Sequence, residues 1–122
     1  MDLKDLVIEL LLEAKKNRTN EFMETQYINQ VCMVRSVSAG VFFGKLVEKI
    51  GGECRLENAR RVWYWEGAAT LSQLAKSGTA FPKKCKFPAA VSSVELSGVI
   101  EIIPMTICAE QILSEVPIWE KI

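Results

Sequence analysis

The sequence predicts an α+β fold: a curved antiparallel β-sheet with an amphipathic helix at its N-terminus and short helices at the sheet ends. Three observations carry this expectation. Apolar side chains from Leu3 to Ala14 recur at helical spacing. From Gln30 to Ile103, β-branched and aromatic runs alternate with glycine-marked turns. Two segments headed by Thr70 and Thr106 carry helix-start signals instead. A chain of 122 residues fits one domain, residues 1–122, with a modest core.

Asp2 is a natural N-cap for the first helix, whose stripe comprises Leu3, Leu6, Val7, Leu10, Leu11 and Ala14. It ends near Lys16–Asn20, where basic residues suit the C-terminal end of the helix dipole. Ile8 and Leu12 lie outside that stripe, so the apolar surface is wider than one sheet contact requires. Self-association through residues 1–20 accounts for this width; burial on two sides within its own domain is the alternative. The run LVIELLL contains Glu9 and falls far short of the 18 or so apolar residues a membrane span needs.

Residues 30–120 hold the predicted sheet and the ligand-binding region. A polar link, Thr19–Asn29, leads to a strand at Gln30–Ser36. The SAG turn (Ser38–Gly40) then opens a hairpin whose second arm is Val41–Lys49. Gly51–Gly52 closes another turn before strands Glu53–Glu57 and Ala59–Trp65. Thr70 and Gln73 form a T-x-x-Q capping box for a helix through Lys76, ended by Ser77–Gly78. Thr79–Pro88, punctuated by proline, reads as an ordered loop. Strands Val91–Leu96 and Val99–Ile103 complete the sheet, Pro104 stops the last of them, and Thr106 caps a closing helix from Ile107 to about Glu115.

The segment Asn58–Ala75, NARRVWYWEGAATLSQLA, is the richest in chemistry. Read as a strand, Ala59–Trp65 points Arg61, Trp63 and Trp65 to one face and Arg60, Val62 and Tyr64 to the other. Each face then sets a guanidinium beside an aromatic ring, which suits pairing with a phosphate and stacking on a base. The same pattern also describes core aromatics edged by arginines that lay their apolar stems along the sheet.

SAGVFFG (Ser38–Gly44), NARRVWYW (Asn58–Trp65), GAATLSQLA (Gly67–Ala75), CKFPAAV (Cys85–Val91) and IEIIPMT (Ile100–Thr106) occur in this order. Together they resemble a family of small phage and prophage proteins, the first-described Thoeris anti-defence family, over roughly Gln30–Glu120. The resemblance implies sequestration: a viral protein that holds a host cyclic nucleotide immune signal without cleaving it. It implies a ligand of the glycocyclic ADP-ribose type, with cyclic oligonucleotides at further sites. It also implies a homo-oligomer, a hexamer among the assemblies it allows, acting in the host cytoplasm. Two other readings of the chain are a phage structural or assembly protein and a direct protein inhibitor of a host factor.

Composition narrows the chemistry. Formal net charge is zero, with 15 basic and 15 acidic residues, so no global field holds a long nucleic acid. Histidine is absent, which removes the commonest general base and metal ligand at neutral pH. Cys32, Cys54, Cys85 and Cys108 are scattered, with no CxxC pair and no signal-like N-terminus, and read as reduced, mostly buried thiols. Glu53 and Glu57 share a face and Glu48 and Glu101 are isolated, while no phosphate loop or nucleophile elbow occurs. The expectation is a non-enzymatic binding protein without cofactor, metal or membrane partner.

Nine residues are the candidate ligand contacts. Arg35, Arg60 and Arg61 would pair with phosphates, and Ser38 and Gly40 would offer turn amides beside Arg35. Trp63 and Phe81 would stack on a base, the latter beside Lys83, Lys84 and Lys86. Asn58 would hydrogen-bond a base edge, and Thr106 heads a helix whose amides favour anions. The bland reading is sheet core for Trp63, edge cover for Arg60 and Arg61, and a turn residue, surface charge, solvated loop or helix cap for the others; Phe87 reads as core.

Overall fold

The computed structural model of the protein describes residues 2–8 and 26–122. Residues 3–8 are helical (α1), with the Asp2 carbonyl accepting from the amides of Asp5 and Leu6. The expected stripe residues Leu10, Leu11 and Ala14, the flanking Leu12 and the helix end near Lys16–Asn20 lie outside the described residues. Leu3, Leu6, Val7 and Ile8 are all exposed in the single chain.

Five strands follow: β1 (Val31–Ser36), β2 (Gly40–Ile50), β3 (Glu53–Arg61), β4 (Val91–Leu96) and β5 (Val99–Pro104). They form one antiparallel sheet in the order β4-β3-β2-β1-β5. Helices α2 (Leu71–Ser77) and α3 (Ile107–Ser114) complete the α+β architecture expected from the sequence. Thr70 caps α2, its hydroxyl accepting from the Gln73 amide at 3.1 Å. The Gln73 side chain reaches back one residue further than a capping box requires, accepting from the Ala69 amide at 2.8 Å.

Alternation along the strands sends apolar side chains to both faces. Met33 and Phe43 join Leu71, Leu74, Ala75, Phe87, Leu113 and Val116 in a core beneath the helices. Cys32, Val34, Phe42, Leu46, Leu56 and Leu96 form a second core on the opposite face. Because β1 and the first part of β2 are buried on both sides, Val31–Val34 and Val41–Phe43 read as continuous apolar runs, while the rest of β2 carries Lys45, Glu48 and Lys49.

Two boundaries differ from the sequence reading. Glu53–Glu57 and Ala59–Trp65 are one strand, β3, and it ends at Arg61. The join is a bulge: Phe43 faces Arg60 and Lys45 faces Glu57, so Gly44 alone opposes Asn58 and Ala59. Asn58 carries the bulge at φ 49°, a left-handed conformation that asparagine tolerates better than most residues. Opposite it, a side chain at position 44 would sit 2.9 Å from the Glu57 carbonyl oxygen, which explains the glycine there. The second difference is Pro104, which is the last residue of β5 rather than the residue that stops it. It is tolerated because β5 is an edge strand.

Candidate functional site: an aromatic and lysine platform

Beyond Arg61 the chain leaves the sheet. The Val62 amide still donates to the Val41 carbonyl, and Tyr64 then pairs with Lys86 in an isolated antiparallel bridge. Trp63, Tyr64 and Trp65 therefore belong to a strand exit that crosses the 79–88 loop, and they do not follow the predicted face alternation. Phe87 in turn bridges Ile118 in parallel, and the Trp119 amide donates to the Phe87 carbonyl at 3.0 Å. Three segments distant in sequence thus meet at one end of the molecule.

Their exposed side chains form a platform. Trp63, 62% exposed, stacks on Trp119, 42% exposed, with ring centroids 6.2 Å apart and planes 13° from parallel. The Lys86 ammonium lies 5.7 Å from the Trp119 ring and 5.7 Å from the Tyr64 ring. Desolvation first, then the Glu66 carboxylate, holds the Tyr64 phenol above its ordinary pKa. Exposed aromatic faces partnered by a cation suit a flat, electron-poor or anionic ring system.

Beside it, the 79–88 loop and the C-terminal segment border a cleft of about 390 Å³ lined by Phe81, Pro82, Lys83, Lys84, Glu115 and Pro117. Phe81 is half exposed, with the Lys84 ammonium 5.0 Å from its ring. Pro82 starts a single 3-10 turn, Pro82–Lys84, that holds both lysines outward. The loop is pinned beneath by Thr79, whose hydroxyl donates to the Glu66 carbonyl and accepts from the Phe81 amide. Gly67 packs so closely on Thr79 that a side chain there would collide with it.

Trp63 and Phe81, of the nine predicted contacts, lie on this surface. Arg60 does not, and its predicted phosphate role is corrected. It is 5% exposed on the helix-covered face, and its Nε, Nη1 and Nη2 groups donate to five backbone carbonyls. A guanidinium has five N–H groups, so none is left for a ligand. Burial pushes its pKa below the ordinary arginine value.

Arg61 lies on the opposite face. Its guanidinium packs 4.3 Å from the Phe42 ring centre and donates to the Ala39 carbonyl at 2.6 Å. Arg35 stands beside Glu101 of β5, with 3.7 Å from its Nε to the carboxylate. Ser38 is exposed in the β1–β2 turn, and Gly40, at φ 87°, serves that turn's backbone geometry.

Asn58 is not at the start of a strand but inside one, where the bulge accounts for it. Thr106 is a helix cap: its hydroxyl accepts from the Ala109 amide and gives its one proton to the Lys76 carbonyl. The nine residues thus fall into separate parts of the fold: Trp63 and Phe81 at the strand exit and the 79–88 loop, Arg61 tied through the Ala39 carbonyl to the Ser38–Gly40 turn that follows Arg35, and Asn58, Arg60 and Thr106 in structural positions.

The partners that sequence reasoning missed are Trp119 and Tyr64. Trp119 lay outside the motif-rich stretch, and the Phe87–Ile118 bridge with the Trp119–Phe87 amide bond returns the C-terminal segment to Trp63. No grouping of three or more His, Cys, Asp or Glu side chains suited to a metal occurs among the described residues. No helix among them is long and apolar enough to cross a membrane. All four cysteines are free thiols, with Cys32, Cys54 and Cys85 buried and Cys108 exposed.

Comparison with known proteins gives one family match, the Domain of unknown function (DUF6948), over residues 29–113. No curated protein and no solved structure matches the chain. The match spans β1 to α3, and the chain belongs to the DUF6948 family.

Proposed function

We propose that this protein binds a small cyclic nucleotide on the aromatic and lysine platform and sequesters it intact. The observation that supports this most is the parallel, solvent-exposed Trp63–Trp119 pair with Lys86 beside it. Aromatic rings this exposed contribute less to the core than buried ones, and their faces are open to a base. Lys83, Lys84 and Lys86 supply cations for phosphate oxygens on the same loop, while the protein's zero net charge disfavours long polyanions.

The sequence resemblance gives the ligand class: a glycocyclic ADP-ribose-type signal made by a host defence system. Sequestration without cleavage rests on the same resemblance, in a chain that contains no histidine to serve as a general base. Self-association through α1 is part of the same proposal, since Leu3, Leu6, Val7 and Ile8 stand exposed around most of its circumference.

The test is exposure of the purified protein to a cyclic ADP-ribose isomer, removal of free ligand, heat release and mass spectrometry. Recovery of unchanged ligand supports sequestration. Recovery of a cleaved product, or no retention at all, refutes it.

A further inference from the structure

We infer that Arg60 is a positioning residue, the single side chain that sets Trp119 and Lys86 against Trp63. Its Nε donates to the Pro88 carbonyl at 2.9 Å and one terminal nitrogen to Phe87 at 3.1 Å. These two bonds hold the end of the 79–88 loop, immediately after Lys86. The remaining bonds go to Leu113 at 3.1 Å, Ser114 at 3.3 Å and Val116 at 2.6 Å, the last turn of α3 and the residues that follow. Arg60 thereby caps the C-terminus of α3 from outside the helix, where unpaired carbonyls and the negative end of the dipole favour a cation.

Each platform residue sits a short step from this clamp. Lys86 precedes Phe87, Trp119 follows Val116 by three residues, and Trp63 follows Arg60 itself by three. The Arg60 guanidinium also lies 5.5 Å from the buried Phe87 ring, so the fork is held by packing as well as by hydrogen bonds. No other described side chain bonds both the loop and the C-terminal segment. Lysine cannot substitute: an ammonium has three donors for five carbonyls and no planar fork.

This role bears on ligand binding only if the platform is the binding surface, so its test needs no ligand. Labelling with 5-fluorotryptophan gives one fluorine resonance for each of Trp63, Trp65 and Trp119, assigned by single Trp→Phe changes. In Arg60→Lys and Arg60→Met the resonances of positions 63 and 119 should shift or broaden together. That of Trp65, whose indole donates to the Ala68 carbonyl at 3.1 Å, should stay in place. Variants that fold, as judged by circular dichroism, with positions 63 and 119 unmoved would overturn the inference. Hydrogen exchange on the unmodified protein decides the matter if neither variant folds. The Trp119 amide, bonded to Phe87, should then be protected as strongly as the β3 amides flanking Arg60. Exchange at the rate of an open C-terminal tail would equally overturn the inference.

Discussion

Replacing Trp63 with alanine separates a binding surface from a structural one. Trp63 leaves 62% of its surface in solvent, so roughly 80 Å² of an indole's ~200 Å² is covered. At about 25 cal/mol per Å² this amounts to about 2 kcal/mol of stability, an upper estimate because the unfolded chain is itself partly collapsed. Phe87, fully buried beneath the same platform, should cost roughly 3–5 kcal/mol on truncation to alanine. For a stacked base the order reverses. Losing Trp63 should weaken ligand binding by about 1–3 kcal/mol, on the order of 5- to 150-fold in Kd. Trp63→Phe should retain most of the affinity, since a ring face remains. Calorimetric titration with a cyclic ADP-ribose isomer, alongside thermal melts of all three variants, reads both quantities. Parental affinity in a folded Trp63→Ala variant would refute the platform as the site.

Further outcomes follow from individual residues. At the β3 bulge, Asn58→Gly should leave stability unchanged or raise it slightly, while Asn58→Ala should lose about 1 kcal/mol by chemical denaturation, because alanine is disfavoured at φ 49°. Thiol titration in the native state should find Cys108 fast and Cys32 slow, because burial pushes the Cys32 thiol up to about 11 and the neighbouring Cys54 adds to it. A thiol pKa raised by folding favours the protonated form, so that stabilisation is complete below the ordinary value of 9.0 and is lost as pH rises toward about 11. Melts across that window should show an alkaline decline that a Cys32→Ala variant lessens. Introducing Leu6→Glu with Val7→Glu should dissociate an assembly held by α1, and light scattering that finds the unmodified protein monomeric would refute that contact.

Much of the sheet was legible because its signals are local. Gly51–Gly52, the Ser38–Gly40 turn and the two threonine caps are each fixed by the conformational limits of a few residues, and all act where expected. The bulge was not legible. Asn58 resembles a turn residue in sequence, and only its opposition to Gly44 shows that one strand runs through it. The end of β3 was missed for a related reason. Val62–Trp65 has strong β propensity, yet its last backbone pairing is with a loop, which propensity cannot distinguish from a strand partner.

The arginine–aromatic segment shows why site residues are harder to read than strands. The pattern offered two readings: Arg60, Arg61 and Trp63 together facing a ligand, or core aromatics edged by the arginines. The fold separates them. Arg60 is buried because the end of α3 and the turn into β4 direct five carbonyls toward one point, two of them (Phe87 and Leu113) already accepting a backbone amide, and a five-donor fork bonds them together. Those carbonyls come from residues 27 to 56 positions away, so no window around Asn58–Ala75 contains them. Trp63, freed from the sheet three residues later, finds its partner in Trp119, equally remote. The polar residue became interior and the apolar one exterior because each was placed by distant backbone. On the proposed platform this arrangement has a direct consequence: a ligand's phosphates would meet the exposed Lys83, Lys84 and Lys86, while the buried arginine would position the rings on which its base stacks.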